Sequence, residues 1–95
     1  MLLIKDILQQ QPIGTTLSLR GWVRTFRSNR FIALSDGSTI KTLQAVVDFE
    51  NFDEAELKRI TTGAAISVTG DLVKSQGRGQ EVELLVRSFE VLGDS

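Results

Sequence analysis

Residues 17–34, LSLRGWVRTFRSNRFIAL, read as two β-strands joined by a short polar turn at Ser28-Asn29. Leu17, Leu19, Gly21 and Val23 alternate with Thr16, Ser18, Arg20, Trp22 and Arg24, which gives the first strand, over about 16–27, one inward face. Strict alternation would carry Arg27 inward too. An unpaired charge cannot be left there, so the strand must twist or break near Thr25-Phe26. That break brings Arg27 onto the face of Phe31, the aromatic that opens the second strand over about 30–36. Ile32 and Leu34 point in; Phe31, Ala33 and Ser35 point out. The stretch carries Arg20, Arg24, Arg27 and Arg30 and no acid. Arginines meet phosphates, and a ring between small neighbours offers a stacking plane to any base, so this hairpin is a candidate surface for single-stranded nucleic acid.

The flanking chain closes the hairpin into a barrel. Before it, Leu3, Ile4, Ile7 and Leu8 fall at helical spacing, consistent with a short helix or a strand-like lead-in, and Pro12 and Gly14 end it. After it, Asp36-Gly37-Ser38 makes a turn into a third strand over about 42–49, with Leu43, Ala45 and Val47 on one face and Gln44 and Val46 on the other. The period then changes. Asp53 with Glu56 has the form of a capping box, Phe52 and Leu57 that of a hydrophobic staple, and Gly63 that of a stop, which predicts a helix of about ten residues. A fourth strand spans about 64–74, with Ile66, Val68, Gly70 and Leu72 inward. A fifth spans about 80–92. In it Val82, Leu84 and Val86 share one face, while Phe89 and Val91 have the other parity, so a bulge is expected near Arg87-Ser88. Gly21, in mid-strand, is read as a sharp bend. The expected fold is all-β with one helix: a five-stranded OB-fold barrel, the helix lying between strands three and four.

Ninety-five residues allow one small domain. There is no cysteine and no histidine, which removes disulfides, thiolate metal sites, and the commonest general base and zinc ligand. The amino end lacks an apolar run of signal-peptide or membrane-span length, so no membrane contact and a cytoplasmic location are expected. Net charge is −1, but the acids Asp48, Glu50, Asp53, Glu54 and Glu56 fall together in residues 48–56, while residues 15–35 hold four arginines and no acid. The local field decides where a polyanion docks. No catalytic constellation converges, since capping accounts for Asp53 and Glu56.

Further residues outside the hairpin stand out. Gln44 is a polar amide in an apolar strand and can read the edge of an unstacked base. Glu81 and Glu83 alternate outward on strand five, where a carboxylate can accept from a base amino or imino group. The loop Gln76–Gln80, QGRGQ, lacks a phosphate-cradle pattern, but its glycines let it adapt around a nucleotide. Trp22 is read as structural cover for a barrel end.

The strings RGWVRTFRSNRF, IALSDGS, LQAVV, TTGAAISVTGDLV and SQGRGQEVEL together resemble the amino-terminal anticodon-binding domain of the asparaginyl-tRNA synthetases, within the class II aspartyl, asparaginyl and lysyl subgroup. The resemblance runs from about Ile4 to Leu92. It implies a sheet face that grips the anticodon loop of a transfer RNA. Phe31 would stack on the central anticodon base, uridine in all three groups, and Gln44 would read it. Arg27 would contact the same region, and Glu83 the third base. Arg24 and Arg30 are carried as further RNA contacts. The resemblance also implies a homodimeric parent enzyme using ATP and magnesium, with none of that chemistry in this domain, which could be monomeric alone. The chain stops at Gly93-Asp94-Ser95, where the family continues through a hinge into a catalytic domain. An excised domain, or a free-standing relative, is therefore expected. Two alternatives stay open: a single-strand binder without sequence preference, and a protein-interaction barrel.

Overall fold

The computed structural model describes residues 3–75 and 81–93. Five strands, β1 (Thr16–Arg27), β2 (Phe31–Ser35), β3 (Leu43–Val46), β4 (Ala65–Lys74) and β5 (Val82–Gly93), close in the order β1-β2-β3-β5-β4. The β3–β5 contact is parallel and the other pairs are antiparallel. This is the expected OB-fold barrel. Closure pairs β1 with both β2 and β4, β3 with both β2 and β5, and β5 with both β3 and β4.

Alternation fills the interior. Leu19, Val23, Ile32, Leu34, Leu43, Ala45, Ile66, Val68, Leu72, Val82 and Leu84 are all buried. A helix, α1 (Ile4–Gln10), packs Ile4 and Ile7 into the same core. In addition to the helix expected between β3 and β4, the amino-terminal segment takes the short helix, one of its two expected forms. Its first turn is held from a distance. The Asp36 carboxylate accepts from the Ile4 N–H at 2.8 Å and from the Ser38 N–H at 3.0 Å, and Ser38 Oγ accepts from the Lys5 N–H at 3.0 Å.

Burial is the largest influence on the Asp36 carboxyl and pushes it up. The hydrogen bonds from the Ser38 hydroxyl, the Ile4 amide and the Ser38 amide together prevail and hold it below its ordinary 3.8. A depressed carboxyl contributes stability that is present above the unfolded value and is lost as the pH falls through the folded one. Asp36→Ala is therefore expected to cost about 1–2 kcal/mol at pH 7, as the loss of a helix cap does. The gap to the unaltered chain should narrow at pH 3, read as urea midpoints at the two pH values. An undiminished gap at pH 3 would contradict this role.

The second helix, α2, is a single turn, Glu54–Leu57, rather than ten residues. Asp53 occupies the cap position but its side chain makes no capping bond, so the capping box does not form. The next bonds, Arg59 N–H to Glu56 O and Ile60 N–H to Leu57 O, both at 3.1 Å, are three-residue turns that bring Ile60 into the core beside Leu57. The chain must then reach β4, and Gly63, at φ +90°, donates to the Val23 carbonyl at 2.7 Å instead of ending a helix. Phe52 packs on the core with its ring 5.2 Å from Phe89. β3 is shorter than expected; a 3₁₀ turn, Phe49–Asn51, follows it, capped by the Asp48 carboxylate.

Register shifts set the faces. On β5, Val86 pairs with Gly70 and Ser88 with Thr69, leaving Arg87 as the expected bulge and returning Phe89 and Val91 to the core side. On β1, Val23 pairs with Leu34 and Thr25 with Ala33, so Arg24 is the extra residue. The break lies just before the expected Thr25-Phe26. Gly21 permits close approach: a Cβ there would stand 2.6 Å from the Ser35 carbonyl oxygen. Ser35, expected outward, is buried at that junction. Trp22 is 42% exposed and its ring lies against Gly37.

Candidate nucleic-acid interface

Because of the Arg24 bulge, Phe26 turns toward Ile32 and the core, while Arg27 comes to lie directly opposite Phe31. Residues paired across neighbouring strands share a face. One row therefore runs Arg27, Phe31, Val46, Leu85 across β1, β2, β3 and β5. The adjacent row runs Thr25, Ala33, Gln44, Glu83. Phe31 is half-buried, so it is seated in the sheet and still presents part of its ring; Arg27 is exposed.

The β1–β2 turn fixes how the rows begin. Ser28 and Asn29 have φ of 57° and 50°, and the Arg30 N–H closes the turn onto the Arg27 carbonyl at 3.0 Å. Arg27, Ser28, Phe31 and Gln44 then line a pocket of about 390 Å³. Such a pocket offers an apolar wall, a cation and an amide: the three partners that an unstacked nucleotide requires for its ring, its phosphate and its edge.

Glu83 adjoins the pocket without lining it. Its Oε2 accepts from Gln44 Nε2 at 3.0 Å and from the Ser75 hydroxyl at 3.3 Å. Glu81 faces elsewhere and accepts from the Gln11 amide. Arg30 holds its guanidinium 5.7 Å from the centre of the Phe49 ring, a cation–π contact on the far side of the turn. Arg24 is exposed at the bulge, and neither it nor Arg30 lines the pocket. The structure thus brings Arg27, Phe31, Gln44 and Glu83 together and leaves Arg24 and Arg30 on the periphery. Arg87 is tied to Asp71 at 2.8 Å; the Thr16 hydroxyl and that guanidinium hold the Asp71 carboxyl below its ordinary value.

Two participants go beyond the sequence reading. Ser28 has the form of a turn residue only, and Ser75 stands at the head of the SQGRGQEVEL string with no role assigned to it alone. The glycine-bearing loop Gln76–Gln80 lies outside the described residues. Among the described residues, no three His, Cys, Asp or Glu side chains gather as a metal site, and no helix is long and apolar enough to cross a membrane.

Residues 17–92 match the family model of the tRNA anticodon OB-fold nucleic acid binding domain. The asparagine–tRNA ligase of Phocaeicola vulgatus is 53% identical over 93 residues, a match covering 95% of this chain and 20% of the relative. That of Borrelia garinii is 46% identical over 97 residues, covering 97% of this chain and 21% of the relative. The chain thus spans about one fifth of the length of the curated relatives it matches. In fold it is similar to the asparaginyl-tRNA synthetase of Pyrococcus horikoshii complexed with asparaginyl-adenylate, with a TM-score of 0.80 at 20% identity over 99% of this chain and 22% of that one. It is also similar to an OBody, AM3L15, bound to hen egg-white lysozyme, with a TM-score of 0.81 at 11% identity over 100% of this chain and 90% of that one.

Proposed function

This chain belongs to the tRNA anticodon family of OB-fold nucleic acid binding domains, and on that footing we propose that it is the anticodon-reading module of an asparagine–tRNA ligase. The carrying observation is the convergence of Arg27, Phe31 and Gln44 on one pocket of the β1–β2–β3 face. In this reading an anticodon base leaves its stack and lies on Phe31, where the row of Val46 and Leu85 extends the apolar surface. Arg27 meets the adjoining phosphate, and Arg24 and Arg30 add positive field along the approach. Gln44 meets the base edge, with Glu83 beside it. The 53% identity to a named asparagine–tRNA ligase supports the choice of transfer RNA.

The module does no bond chemistry of its own. It holds one end of an RNA so that the other end is placed elsewhere. ATP, magnesium, the aminoacylation step and dimerisation belong, in this reading, to the remainder of a longer protein.

The test is a titration at low salt with a stem-loop carrying a GUU anticodon and, separately, an unstructured RNA of the same length and composition. Preferential binding of the stem-loop is expected. Equal affinity for both would replace the proposal with a single-strand binder lacking sequence preference, and no binding to either would point to a protein partner.

A further inference from the structure

A glutamine amide has two unlike ends, an oxygen that only accepts and a nitrogen that only donates. Which end meets a ligand depends on what holds the other. At Gln44 the holder is Glu83, and an ionised carboxylate only accepts. The group facing Glu83 Oε2 at 3.0 Å must therefore be the amide nitrogen. The turned-over amide would set oxygen against carboxylate oxygen.

The carboxylate is itself constrained. Ser75 Oγ donates to the same Oε2 at 3.3 Å, and the parallel register places Gln44 beside Glu83 on one face. Glu83 is half-buried, and Gln44 is the member of the pair that lines the pocket.

We propose that Glu83 is a positioning residue that locks the Gln44 amide with Oε1 as its accepting end toward the pocket, so that the site selects a base with a ring N–H donor over one with a bare ring nitrogen. This rests on the RNA-binding reading above and adds to it the direction of the discriminating hydrogen bond. A uracil-type edge donates its ring N–H to Oε1. A cytosine-type edge brings a lone pair against a lone pair at that point and leaves both acceptors unpaired. Glu83 thus acts on selectivity without touching the base.

The experiment compares stem-loops that differ only by uridine or cytidine at the central loop position, titrated against the unaltered chain, Glu83→Gln and Glu83→Val. The unaltered chain should favour uridine by about tenfold or more. Glu83→Gln keeps the volume but can both donate and accept, so the Gln44 amide is free to turn. Cytidine affinity should rise and the ratio should fall below about threefold. Glu83→Val, which suits a strand, should show the same collapse, and if it folds poorly the isosteric variant carries the test. Mere structural damage would weaken both RNAs alike and preserve the ratio; that result overturns the inference. Equal binding of both RNAs by the unaltered chain overturns it while leaving RNA binding in place. Failure to bind either RNA overturns it together with the reading on which it rests.

Discussion

Phe31→Ala is expected to lower affinity for a GUU stem-loop by about 1–3 kcal/mol, roughly five- to 150-fold, with little loss of fold stability. The ring stands on the outer side of β2, in a row with Arg27 and Val46, while its sequence neighbour Ile32 is fully buried. Removing the ring therefore takes away a stacking plane and opens no cavity in the core. Trp22→Ala serves as the comparison, because Trp22 is an aromatic of the neighbouring strand β1, exposed, paired with Ser35 and Ala65 and absent from the pocket. Fluorescence titration of the two variants should separate them. Equal losses, or no loss in Phe31→Ala, would remove the stacking role.

Gly70→Ala is expected to have the largest effect on folding. A Cβ at Gly70 would stand 2.8 Å from the Leu85 carbonyl carbon and closer still to its oxygen. Both are backbone atoms of the strand paired with β4, so no side-chain rotation can relieve the clash. The site also adjoins the Arg87 bulge, where Gly70 pairs with Val86 before the register shifts. Forcing these strands apart should cost about 3 kcal/mol or more. For a domain of this size that is a fall in Tm on the order of 10–20 °C. Gly14→Ala is a useful contrast, since its φ of +88° strains a side chain but no atom stands near the added methyl group. A Tm for Gly70→Ala within about 2 °C of the unaltered chain would refute the close-approach account.

The features that sequence made legible are those carried by alternation within one strand. Leu19 and Val23, Ile32 and Leu34, Ile66 and Val68 each declare an inward face, and five such runs with one change of period suffice for the barrel. The β5 bulge was legible because apolar residues stand on both sides of it: Val86 and Phe89 cannot both face inward without an extra residue between them. The β1 bulge was placed slightly late for the complementary reason. Arg24 and Thr25 are both polar, so either could be the residue left over. Helix length is not legible locally, because Glu56, Lys58 and Arg59 suit a helix as well as a turn. Beyond α2 the chain runs on in three-residue turns that bring Ile60 into the core beside Leu57, a tertiary contact that the local sequence does not encode.

The site divides along the same line. Arg27 and Phe31 lie four residues apart and are joined by a turn whose residues announce themselves, so their meeting could be anticipated. The Gln44–Glu83 bond joins residues 39 apart across a parallel pair. A tight turn ties the register of a hairpin, but nothing local ties the register of parallel strands. Gln44 and Glu83 could each be suspected of facing RNA, but not of occupying one another. The burial of Ser35 belongs to the same class, because it depends on how closely Gly21 lets β1 approach β2.

The central claim is that the β1–β2–β3 face with its β5 margin holds the anticodon loop. The most direct measurement is a map of backbone amide chemical-shift changes as a GUU stem-loop is added to the ¹⁵N-labelled chain. The account predicts that the largest changes fall on Arg27 to Phe31, on Leu43 to Val46 and on Val82 to Leu84, while α1 and the outer residues of β4 move little. Changes concentrated instead on α1 and the β2–β3 loop, or spread evenly over the barrel, would contradict it.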